Sequence, residues 1–365
     1  MRVQVVDPSA FTRPYDHALC AALVRAGAEV ELVTSRFAYG SAPPADGYEL
    51  RELFYRRARG AAGSRVRLVA KLAEHVPDMV RYRRLARRAE VVHFQWLDVQ
   101  WLDRFLLPDR PIVLTAHDLL PREPRPRQAS AQRRLYAAVD ALVVHSEYGR
   151  AQLVDALAVD PLKVRVIHHG AFEHLARLEP QPLTDGLEHV AAPVVLFFGL
   201  LRPYKGIDTL LDAWAGIEDA ELWLVGRPRI PLEPLRARAP AAVRFVPRFV
   251  SDGELAALFR RATVIALPYS RTERLDQSGV LATALAFGKA IVVSDVGGFS
   301  EVAAAGAARL VPPDDPAALR AALVDLLGDR DQRRLLEHGA LAAARGPYSW
   351  DHAAAKTLAL YRTLV

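Results

Sequence analysis

Short apolar runs of strand type alternate with longer helical patterns along the whole chain, and this alternation constrains the fold more than any other feature. A chain of this kind buries its strands in parallel sheets that carry helices on both faces. Six strands are predicted in each half, at residues 3–6, 30–34, 91–94, 112–116, 141–145 and 164–168, and at residues 194–198, 222–225, 244–246, 264–267, 291–294 and 309–311. The sequence therefore predicts an α/β protein with two doubly wound parallel sheets.

The length of 365 residues exceeds the size at which a single hydrophobic core keeps growing, so two domains are expected. Residues 176–193 combine prolines, a glycine and charged residues without periodicity, which is typical of a linker. We therefore expect one domain over residues 1–180 and a second over residues 181–348. The last helix, within residues 349–365, carries apolar residues at helical spacing, and we expect it to pack back onto the first domain.

Composition and the amino-terminal residues indicate in which cellular compartment the protein is expected. No apolar run approaches the roughly 20 residues of a membrane span. The chain enters a strand at once, without the successive regions of a secretory signal, so we expect a cytoplasmic protein. Cys20 is the only cysteine, which excludes an intramolecular disulfide and a cysteine-based zinc cluster.

The segment 51–88 is strongly basic, with twelve arginine and lysine residues against three acidic ones. Four apolar residues give part of it a helical face: Leu68, Leu72, Val76 and Val80. A basic amphipathic helix of this kind is typical of peripheral contact with an anionic membrane surface, here its inner face, although Pro77 would kink or divide it. The alternative is an arginine-rich helix face that is merely solvated. Nucleic acid is not expected as a partner, because few aromatic residues are available to stack on bases.

A basic turn follows the predicted strand at 194–198. Gly199 permits a tight exit, and Arg202 and Lys205 then lie at the carboxyl end of a parallel strand, where open α/β sheets bind ligands. Only five of the 48 basic residues are lysine, so a lysine here is informative. Its compact ammonium suits phosphate oxygens. The turn therefore indicates an anion site, with a solvated turn as the alternative.

A second candidate anion site begins at the helix predicted after residue 278. The backbone amides of Ser278, Gly279 and Val280, together with the positive end of the helix dipole, would hold a phosphate. An ordinarily capped helix is the alternative, because serine is common at helix starts.

Seven sequence features occur in one order along nearly the whole chain: the first strand and helix, TAHD at 115–118, HSEYGRAQL at 145–153, VIHHGAF at 166–172, the Arg202 and Lys205 turn, LWLVG at 222–226 and GKAIVVSDVGG at 288–298. In this order they resemble the retaining, nucleotide-sugar-dependent glycosyltransferases of family four. The resemblance implies the GT-B fold, in which two Rossmann-like domains face a cleft. It also implies transfer of a sugar from a nucleotide diphosphate donor to an acceptor hydroxyl on a glycan, a lipid-linked molecule or a small molecule, without a metal or other cofactor.

The resemblance implies roles for individual residues. Arg202 and Lys205 would bind the donor diphosphate and act in catalysis, and His117 would face the transferred sugar as a further catalytic residue. The remaining donor contacts would be Arg227 and Val250 at the nucleobase, Thr283 at the ribose, and Asp276 and Gln277 at the sugar or a neighbouring loop.

Two departures from the family pattern stand out. The family usually carries two glutamates eight positions apart, and those places fall at Leu275 and Thr283. Whether Glu273 or Thr283 replaces a missing glutamate stays open. The glycine-rich loop near the amino terminus is replaced by residues 7–19. Three residues of this segment would contact the acceptor or the diphosphate: Ser9, Arg13 and Asp16.

Other functions have weaker support. Asp329 and Asp331 match a metal-binding Asp-x-Asp, but their place between two helices favours capping. The fingerprints of dinucleotide-binding dehydrogenases and of serine hydrolases are missing from the sequence. Same-fold alternatives are a nucleotide-sugar epimerase, a phosphorylase and a catalytically degenerate nucleotide-binding module. The donor nucleobase, the sugar, the acceptor and the oligomeric state stay open.

Overall fold

The computed structural model describes residues 1–38, 40, 43–58, 64–97, 99–120, 127–272 and 276–365. These residues divide into two compact units. The first contains the described residues of Met1–Gly170 together with Asp276 and Trp350–Val365, and the second contains residues 171–272 and 277–349. The main stretch of the first unit thus ends at Gly170, ahead of residue 180, and the carboxyl-terminal segment belongs to that unit.

A parallel sheet forms the centre of the first unit. Its strands are β1 (Arg2–Asp7), β2 (Glu29–Ser35), β3 (Glu49–Phe54), β4 (Val91–Phe94), β5 (Ile112–Thr115), β6 (Ala141–Val144) and β7 (Val164–Val166). They lie in the order β3-β2-β1-β4-β5-β6-β7. Every residue of β4, β5 and β6 is buried, because helices cover both faces of the sheet.

The helices of this unit connect successive strands. They are α1 (Arg13–Arg25), α2 (Arg65–Leu85), α3 (Gln100–Leu106), α4 (Gln128–Ala138) and α5 (Glu147–Ala151), which continues into a π-helical turn over Gln152–Ala156. Each begins after the carboxyl end of a strand. Side chains at these junctions therefore gather at one edge of the sheet.

The second unit repeats this plan. Its strands are β8 (Val194–Phe198), β9 (Glu221–Val225), β10 (Val243–Val246), β11 (Val264–Leu267), β12 (Ala290–Ser294) and β13 (Arg309–Val311), in the order β10-β9-β8-β11-β12-β13. Its helices are α6 (Glu173–Arg177), α7 (Ile207–Trp214), α8 (Glu233–Arg238), α9 (Asp252–Arg261), α10 (Gly279–Ala286), α11 (Phe299–Ala304), α12 (Pro316–Gly328) and α13 (Arg330–Arg345). The prediction of two doubly wound parallel sheets is confirmed, and each of the twelve predicted strands overlaps an observed one.

The last helix, α14 (Trp350–Arg362), packs against α1 in the first unit. The Tyr361 hydroxyl lies 2.6 Å from His93 Nδ1, and His93 Nε2 lies 2.8 Å from the Thr115 hydroxyl. These buried contacts attach the end of the chain to β4 and β5. Burial lowers the pKa of His93 to about 3, so the imidazole is neutral in this network.

Strand β3 was missed by the sequence analysis. It lies at the edge of the sheet, and only its last residue, Phe54, is buried, so its sequence ELRELF lacks the apolar run of a central strand. The basic segment 51–88 is therefore a strand followed by a helix. Pro77 lies inside α2, which continues through it, so of the two expected effects, a kink or a division, division of the helix does not occur. Arg59, also counted in the basic segment, lies outside the described residues.

A close backbone approach shapes the turn after β8. A short 3₁₀ turn over Pro203–Lys205 ends at Gly206, whose φ of 67° lies in the left-handed region. A Cβ at this position would lie 1.7 Å from the carbonyl oxygen of Pro268. Only glycine combines this conformation with this contact, so Gly206 holds the turn against the segment that follows β11.

We predict that Gly206→Ala destabilises the protein more than Gly216→Ala. Gly216 also has a left-handed φ, 82°, but an added Cβ there meets no atom within 4 Å, so it reports backbone strain alone. That strain costs on the order of 1 kcal/mol. At Gly206 the alanine must also displace a carbonyl group. Urea unfolding monitored by circular dichroism would measure both losses, and equal losses would contradict the proposed contact.

Candidate functional site

The two anion-site segments predicted from sequence come together in the second unit. Lys205 Nζ donates to the Tyr269 hydroxyl at 2.8 Å, and that hydroxyl lies 3.1 Å from Ser278 Oγ. Lys205 follows β8 and Tyr269 follows β11, and these strands are neighbours at the point where the strand order reverses. Open α/β sheets bind ligands at such a switch point.

Lys205 is an unusually buried lysine. It is only 7% exposed. Burying an ammonium group is costly unless it is paired, and buried cations in proteins are therefore frequent at functional sites. Its place at the switch point makes Lys205 a candidate contact for an anionic ligand.

Gly199 allows the start of α10 to lie close to Lys205. Its φ is 109°, and a Cβ there would lie 3.0 Å from Lys205 Nζ and 3.3 Å from Val280 Cγ2. The absence of a side chain therefore lets the strand end, the lysine and the first turn of α10 meet.

The start of α10 differs from an ordinary capped helix. Ser278 occupies the N-cap position, but its side chain makes no capping bond and its hydroxyl faces Tyr269 instead. Its backbone amide donates to Gln277 Oε1 at 3.0 Å. The next amides, of Gly279 and Val280, belong to the first helical turn, where backbone donors have no partner within the helix. These two amides are the better candidates for an anion.

Thr283 lies within α10 and is buried. Its hydroxyl donates to the Gly279 carbonyl at 2.8 Å, one turn earlier in the helix. A ribose contact from Thr283 would therefore use the remaining capacity of a hydroxyl that is already bonded to the backbone. Glu273, the other candidate replacement for the family glutamates, lies outside the described residues, as does Leu275.

The remaining donor-side candidates follow strand ends of the second unit. Arg202 is partly exposed in the turn after β8. Arg227 follows β9 with an exposed side chain, and its carbonyl accepts from the Leu201 amide at 3.1 Å. Val250 is buried directly before Ser251, which caps α9.

In the first unit, His117 lies just after β5 in a group of aromatic rings. Its Nε2 is 3.0 Å from Gln95 Oε1. Its ring stacks on Trp96 with centroids 5.1 Å apart, and it meets Tyr15 edge-on at 4.7 Å. The imidazole is therefore held in one orientation at the carboxyl end of the sheet.

The loop that replaces the family's glycine-rich segment wraps around Asp7. The Asp7 carboxylate accepts the backbone amides of Ser9 at 3.2 Å and Thr12 at 3.1 Å. Arg13 and Asp16 are also buried beside it. Burial raises the pKa of both carboxyl groups, and the charge of Asp7 raises the pKa of Asp16 further. The three predicted acceptor-side residues thus share one buried polar cluster whose centre, Asp7, the sequence analysis missed.

Lys71 is a second residue that the sequence analysis did not assign to the site. Its Nζ donates to Ser9 Oγ at 3.3 Å and lies 5.5 Å and 4.8 Å from the ring centres of Phe11 and Tyr55. A signal existed, because Lys71 is the only lysine among the basic residues of 51–88.

Asp276 belongs by its contacts to the first unit. Its fully buried carboxylate accepts the His145 amide and the Ser146 hydroxyl. Burial lowers the pKa of His145 to about 3 and that of His169 to about 4, so both imidazoles are neutral near this carboxylate. Asp276 thus contacts the start of the turn between β6 and α5, and its predicted role at a sugar or loop stays a prediction.

Within the described ranges, no three histidine, cysteine, aspartate or glutamate side chains gather where they could hold a metal ion. Asp329 Oδ1 instead accepts the amides of Asp331 at 2.9 Å and Gln332 at 3.0 Å, which is a helix cap. Of the helices that the structure describes, none is both long and apolar enough to cross a bilayer.

Comparison with known proteins decides the family. Residues 15–171 match the family described as Glycosyltransferase Family 4, and residues 192–329 match Glycosyl transferases group 1. A D-inositol 3-phosphate glycosyltransferase of Jonesia denitrificans is 33% identical over 312 residues, which cover 74% of this chain and 71% of the relative. The chain belongs to glycosyltransferase family 4. The predicted resemblance is confirmed, and the chain is a glycosyltransferase.

Two further comparisons concern the share of a relative that this chain matches and the fold. A D-inositol 3-phosphate glycosyltransferase of a Nocardioides species is 32% identical over 62% of this chain, and the match spans about half, 54%, of that relative. The structure of Anabaena Alr3699/HepE in complex with UDP and glucose superposes on this chain with a TM-score of 0.75. It covers 100% of both chains at 17% identity. This family 4 glycosyltransferase therefore has the GT-B fold predicted from its sequence.

Tyr269 is the clearest site residue that the sequence analysis missed, because only the folded chain places it between Lys205 and Ser278. We predict that Tyr269→Phe lowers kcat/KM for sugar transfer about tenfold or more, since a hydrogen bond to a buried charged group contributes about 1.5–3 kcal/mol. Steady-state kinetics would measure the loss. Tyr348→Phe, which removes a hydroxyl from another buried tyrosine of the same unit, is the control and should leave kcat/KM unchanged. Equal kinetics in the two variants would remove Tyr269 from the site.

Proposed function

We propose that this glycosyltransferase moves a sugar from a nucleotide diphosphate sugar to an acceptor hydroxyl with retention of anomeric configuration. The observation that carries the proposal is the buried Lys205 ammonium at the switch point of the second unit, where Gly199 leaves room for the first turn of α10 to lie close by. A diphosphate matches both features, since it presents several oxygens and at least one negative charge to each.

The chemical task is to stabilise the diphosphate as it leaves. The bond between the anomeric carbon and the diphosphate oxygen breaks, and negative charge grows on that oxygen. Lys205, Arg202 and the amides of Gly279 and Val280 are the groups that we assign to this charge. Because Lys205 and the amides of α10 are held in place before the reaction, they would stabilise the transition state without a reorganisation cost.

Retention follows from the family resemblance. We propose that the acceptor oxygen attacks from the face that the diphosphate leaves, and that the proton of the acceptor hydroxyl passes to the departing diphosphate. His117, held by Gln95 and Trp96, would orient the transferred sugar or polarise one of its hydroxyls. A ring held in one orientation is suited to positioning the sugar.

The donor and acceptor classes are proposed from the relatives. The HepE structure contains UDP and glucose, and two relatives are named D-inositol 3-phosphate glycosyltransferases. We therefore propose a nucleoside diphosphate hexose as donor and a hydroxyl-rich acceptor. Arg227 and Val250 are the proposed nucleobase contacts, and Thr283 is the proposed ribose contact.

The decisive experiment compares Lys205→Ala with Lys289→Ala on a panel of UDP- and GDP-sugars. Lys205→Ala should lower kcat on the order of 10² to 10³, as loss of one transition-state stabiliser does. Lys289 is partly buried in the second unit, and its ammonium donates to the carbonyls of Arg260 at 2.9 Å and Ala262 at 2.8 Å. Its variant should lose stability and keep kcat. A wild-type protein that neither binds UDP or GDP nor uses any donor of the panel would refute the proposed function.

We also propose that helix α2 contacts an anionic membrane surface from the cytoplasmic side. Its outward side exposes six apolar residues: Val66, Leu68, Val69, Leu72, Val76 and Val80. Arg83 and Arg84 are exposed in its last turn. An apolar strip bordered by arginines fits the boundary between lipid headgroups and acyl chains.

Replacing two residues of this strip, Leu72→Glu with Val76→Glu, should abolish cosedimentation with vesicles of phosphatidylglycerol and phosphatidylcholine. The reason is that two carboxylates would then face the anionic lipid. Leu335→Glu is the control, because Leu335 is 72% exposed on α13 of the second unit. Wild-type protein that stays in the supernatant with these vesicles would contradict the membrane contact.

A further inference from the structure

Two carboxyl groups, those of Asp7 and Asp16, lie together in the interior of the first unit. Both side chains are fully buried, and they are hydrogen-bonded to each other. Ionised carboxylates can only accept hydrogen bonds, so this contact requires a proton on one of the two groups. Two ionised carboxylates that share a buried site would also repel each other strongly.

The neighbouring donors decide which of the two groups is ionised. Asp7 Oδ1 accepts the Ser9 amide at 3.2 Å, and Asp7 Oδ2 accepts the Thr12 amide at 3.1 Å. Asp16 Oδ2, by contrast, receives no hydrogen bond from the residues that the structure describes. Because backbone amides stabilise the charged form of a carboxyl group, the negative charge belongs on Asp7 and the proton on Asp16.

The charges in this cluster balance only if one proton is kept. The guanidinium group of Arg13 is buried beside the pair, at 2% exposure, and one ionised carboxylate offsets its charge. A second ionised carboxylate would leave a buried charge without compensation, which is costly.

The other titratable groups that face the pair lie on α1, on α2 and before β3. They are Tyr15, Cys20, Tyr48 and, through Ser9, Lys71. Burial raises the pKa of Tyr15 and of Cys20, and it raises the pKa of Tyr48 to about 12. These three groups therefore stay neutral at neutral pH, and a proton that moves there belongs to the carboxyl pair.

The Thr12 hydroxyl connects the pair to the aromatic rings around His117. Its oxygen lies 3.3 Å from Asp16 Oδ1 and 3.5 Å from Asp7 Oδ2. The same oxygen accepts the indole hydrogen of Trp96 Nε1 at 3.0 Å. Trp96 has a single donor, so this bond fixes the plane of its ring, and His117 stacks on that ring.

The turn that carries Thr12 is itself strained. Ala10 has a φ of 53°, in the left-handed region that is unfavourable for a residue other than glycine. The amides on both sides of it, of Ser9 and Thr12, are held by the Asp7 carboxylate. Repulsion between two ionised carboxylates would therefore act directly on the bonds that keep this turn in place.

We propose that Asp7 and Asp16 share one proton, and that the pair acts through Thr12 and Trp96 to hold the ring of His117 in place for sugar transfer. Asp16 is then a positioning residue whose fully buried side chain makes no contact with the acceptor. The role of His117 in this inference rests on the proposed function, whereas the shared proton does not depend on it.

Unfolding in urea at several pH values tests the shared proton without any substrate. The ¹⁹F resonance of Trp96, in protein labelled with 5-fluorotryptophan and assigned with Trp96→Phe, reports the first unit alone. Native protein would keep a proton that Asp16 releases on unfolding, so the stability that this proton provides is complete at acid pH and is lost as pH rises. The unfolding equilibrium constant of wild type should therefore rise about tenfold per pH unit relative to that of Asp16→Asn, from about pH 5 until the pair releases its proton.

Asp78→Asn is the matched control. Asp78 is also a buried aspartate of the first unit, but it is ion-paired with Arg81 at 2.8 Å. Its loss should change stability by the same amount at each pH over this range. A difference between wild type and Asp16→Asn that is equally independent of pH would overturn the shared proton.

A measurement on wild-type protein alone keeps the test decisive if a variant folds poorly. At neutral pH, infrared spectroscopy should show the C=O stretch of a protonated carboxylic acid, a band that ionised carboxylates lack. Labelling with ¹³C-aspartate should shift this band, which distinguishes aspartate from glutamate. No protonated band, or a band that the label leaves in place, would overturn the proposal.

Steady-state kinetics of two Thr12 variants test the step from the pair to His117. Thr12→Val keeps the shape of the side chain and removes the hydroxyl, so kcat should fall about tenfold and the Trp96 resonance should shift. Thr12→Ser keeps the hydroxyl and should restore both. Thr357→Val is the control, because that buried hydroxyl of the first unit donates to the Ala353 carbonyl at 2.7 Å within α14. Equal kcat in Thr12→Val and Thr357→Val would overturn the positioning role.

Failure of this inference can be told apart from failure of the proposed function. Calorimetric titration with UDP and GDP reports the donor site, and the Thr12 variants should bind nucleotide as wild type does. Nucleotide binding and sugar transfer that the Thr12 variants leave unchanged would refute the positioning role alone. A pH-dependent stability difference at Asp16, in a protein that neither binds nucleotide nor transfers sugar, would support the shared proton and refute the proposed function.

Discussion

The constraint on which the rest of the structure depends is the burial of the central strands on both faces. Strands such as β4, β5, β6 and β12 are buried at every residue, so they can carry almost no group that reacts or binds. Polar chemistry is therefore confined to the turns at the strand ends. Since all strands of a sheet are parallel, those turns gather at one edge. Lys205, Tyr269 and His117 all follow the carboxyl end of a strand for this reason.

The second unit shows how such an edge can form the anion site that we propose. Three close backbone or side-chain approaches, at Gly199, Gly206 and Gly226, draw the turn after β8 against its neighbours. The result is a lysine that is almost fully buried and bonded to a tyrosine hydroxyl. Because little water reaches such an ammonium, it attracts a negative charge more strongly than an exposed one would, which is why we propose it as a diphosphate contact.

The first unit uses its strand ends differently. Burial keeps the imidazoles of His93, His145 and His169 neutral, since the pKa of each is lowered. Aromatic rings and amide side chains surround His117 where the second unit has cations. Neutral hydrogen-bonding groups suit hydroxyl-rich ligands, and cations suit phosphates. These differences agree with the roles that we propose, acceptor binding for the first unit and donor binding for the second.

Local pattern by itself determined the fold class, twelve of the strands and the family. Apolar runs predict central strands because a strand buried on both faces needs apolar side chains on both. The order of the motifs indicates the family. The same reasoning missed β3, whose place at the sheet edge needs no apolar run. It found Lys205 and Ser278 as separate candidates, because each has a local signature.

Only the tertiary structure showed that the Tyr269 hydroxyl lies between Lys205 and Ser278. Tyr269 and Asp7 have no signature in the sequence. The importance of Tyr269 comes from partners 64 and 9 positions away, and that of Asp7 comes from the loop amides that its carboxylate accepts. Such contacts depend on which strands become neighbours when the sheet forms. That choice is made by packing, whereas the pattern along the chain specifies only that a strand ends there.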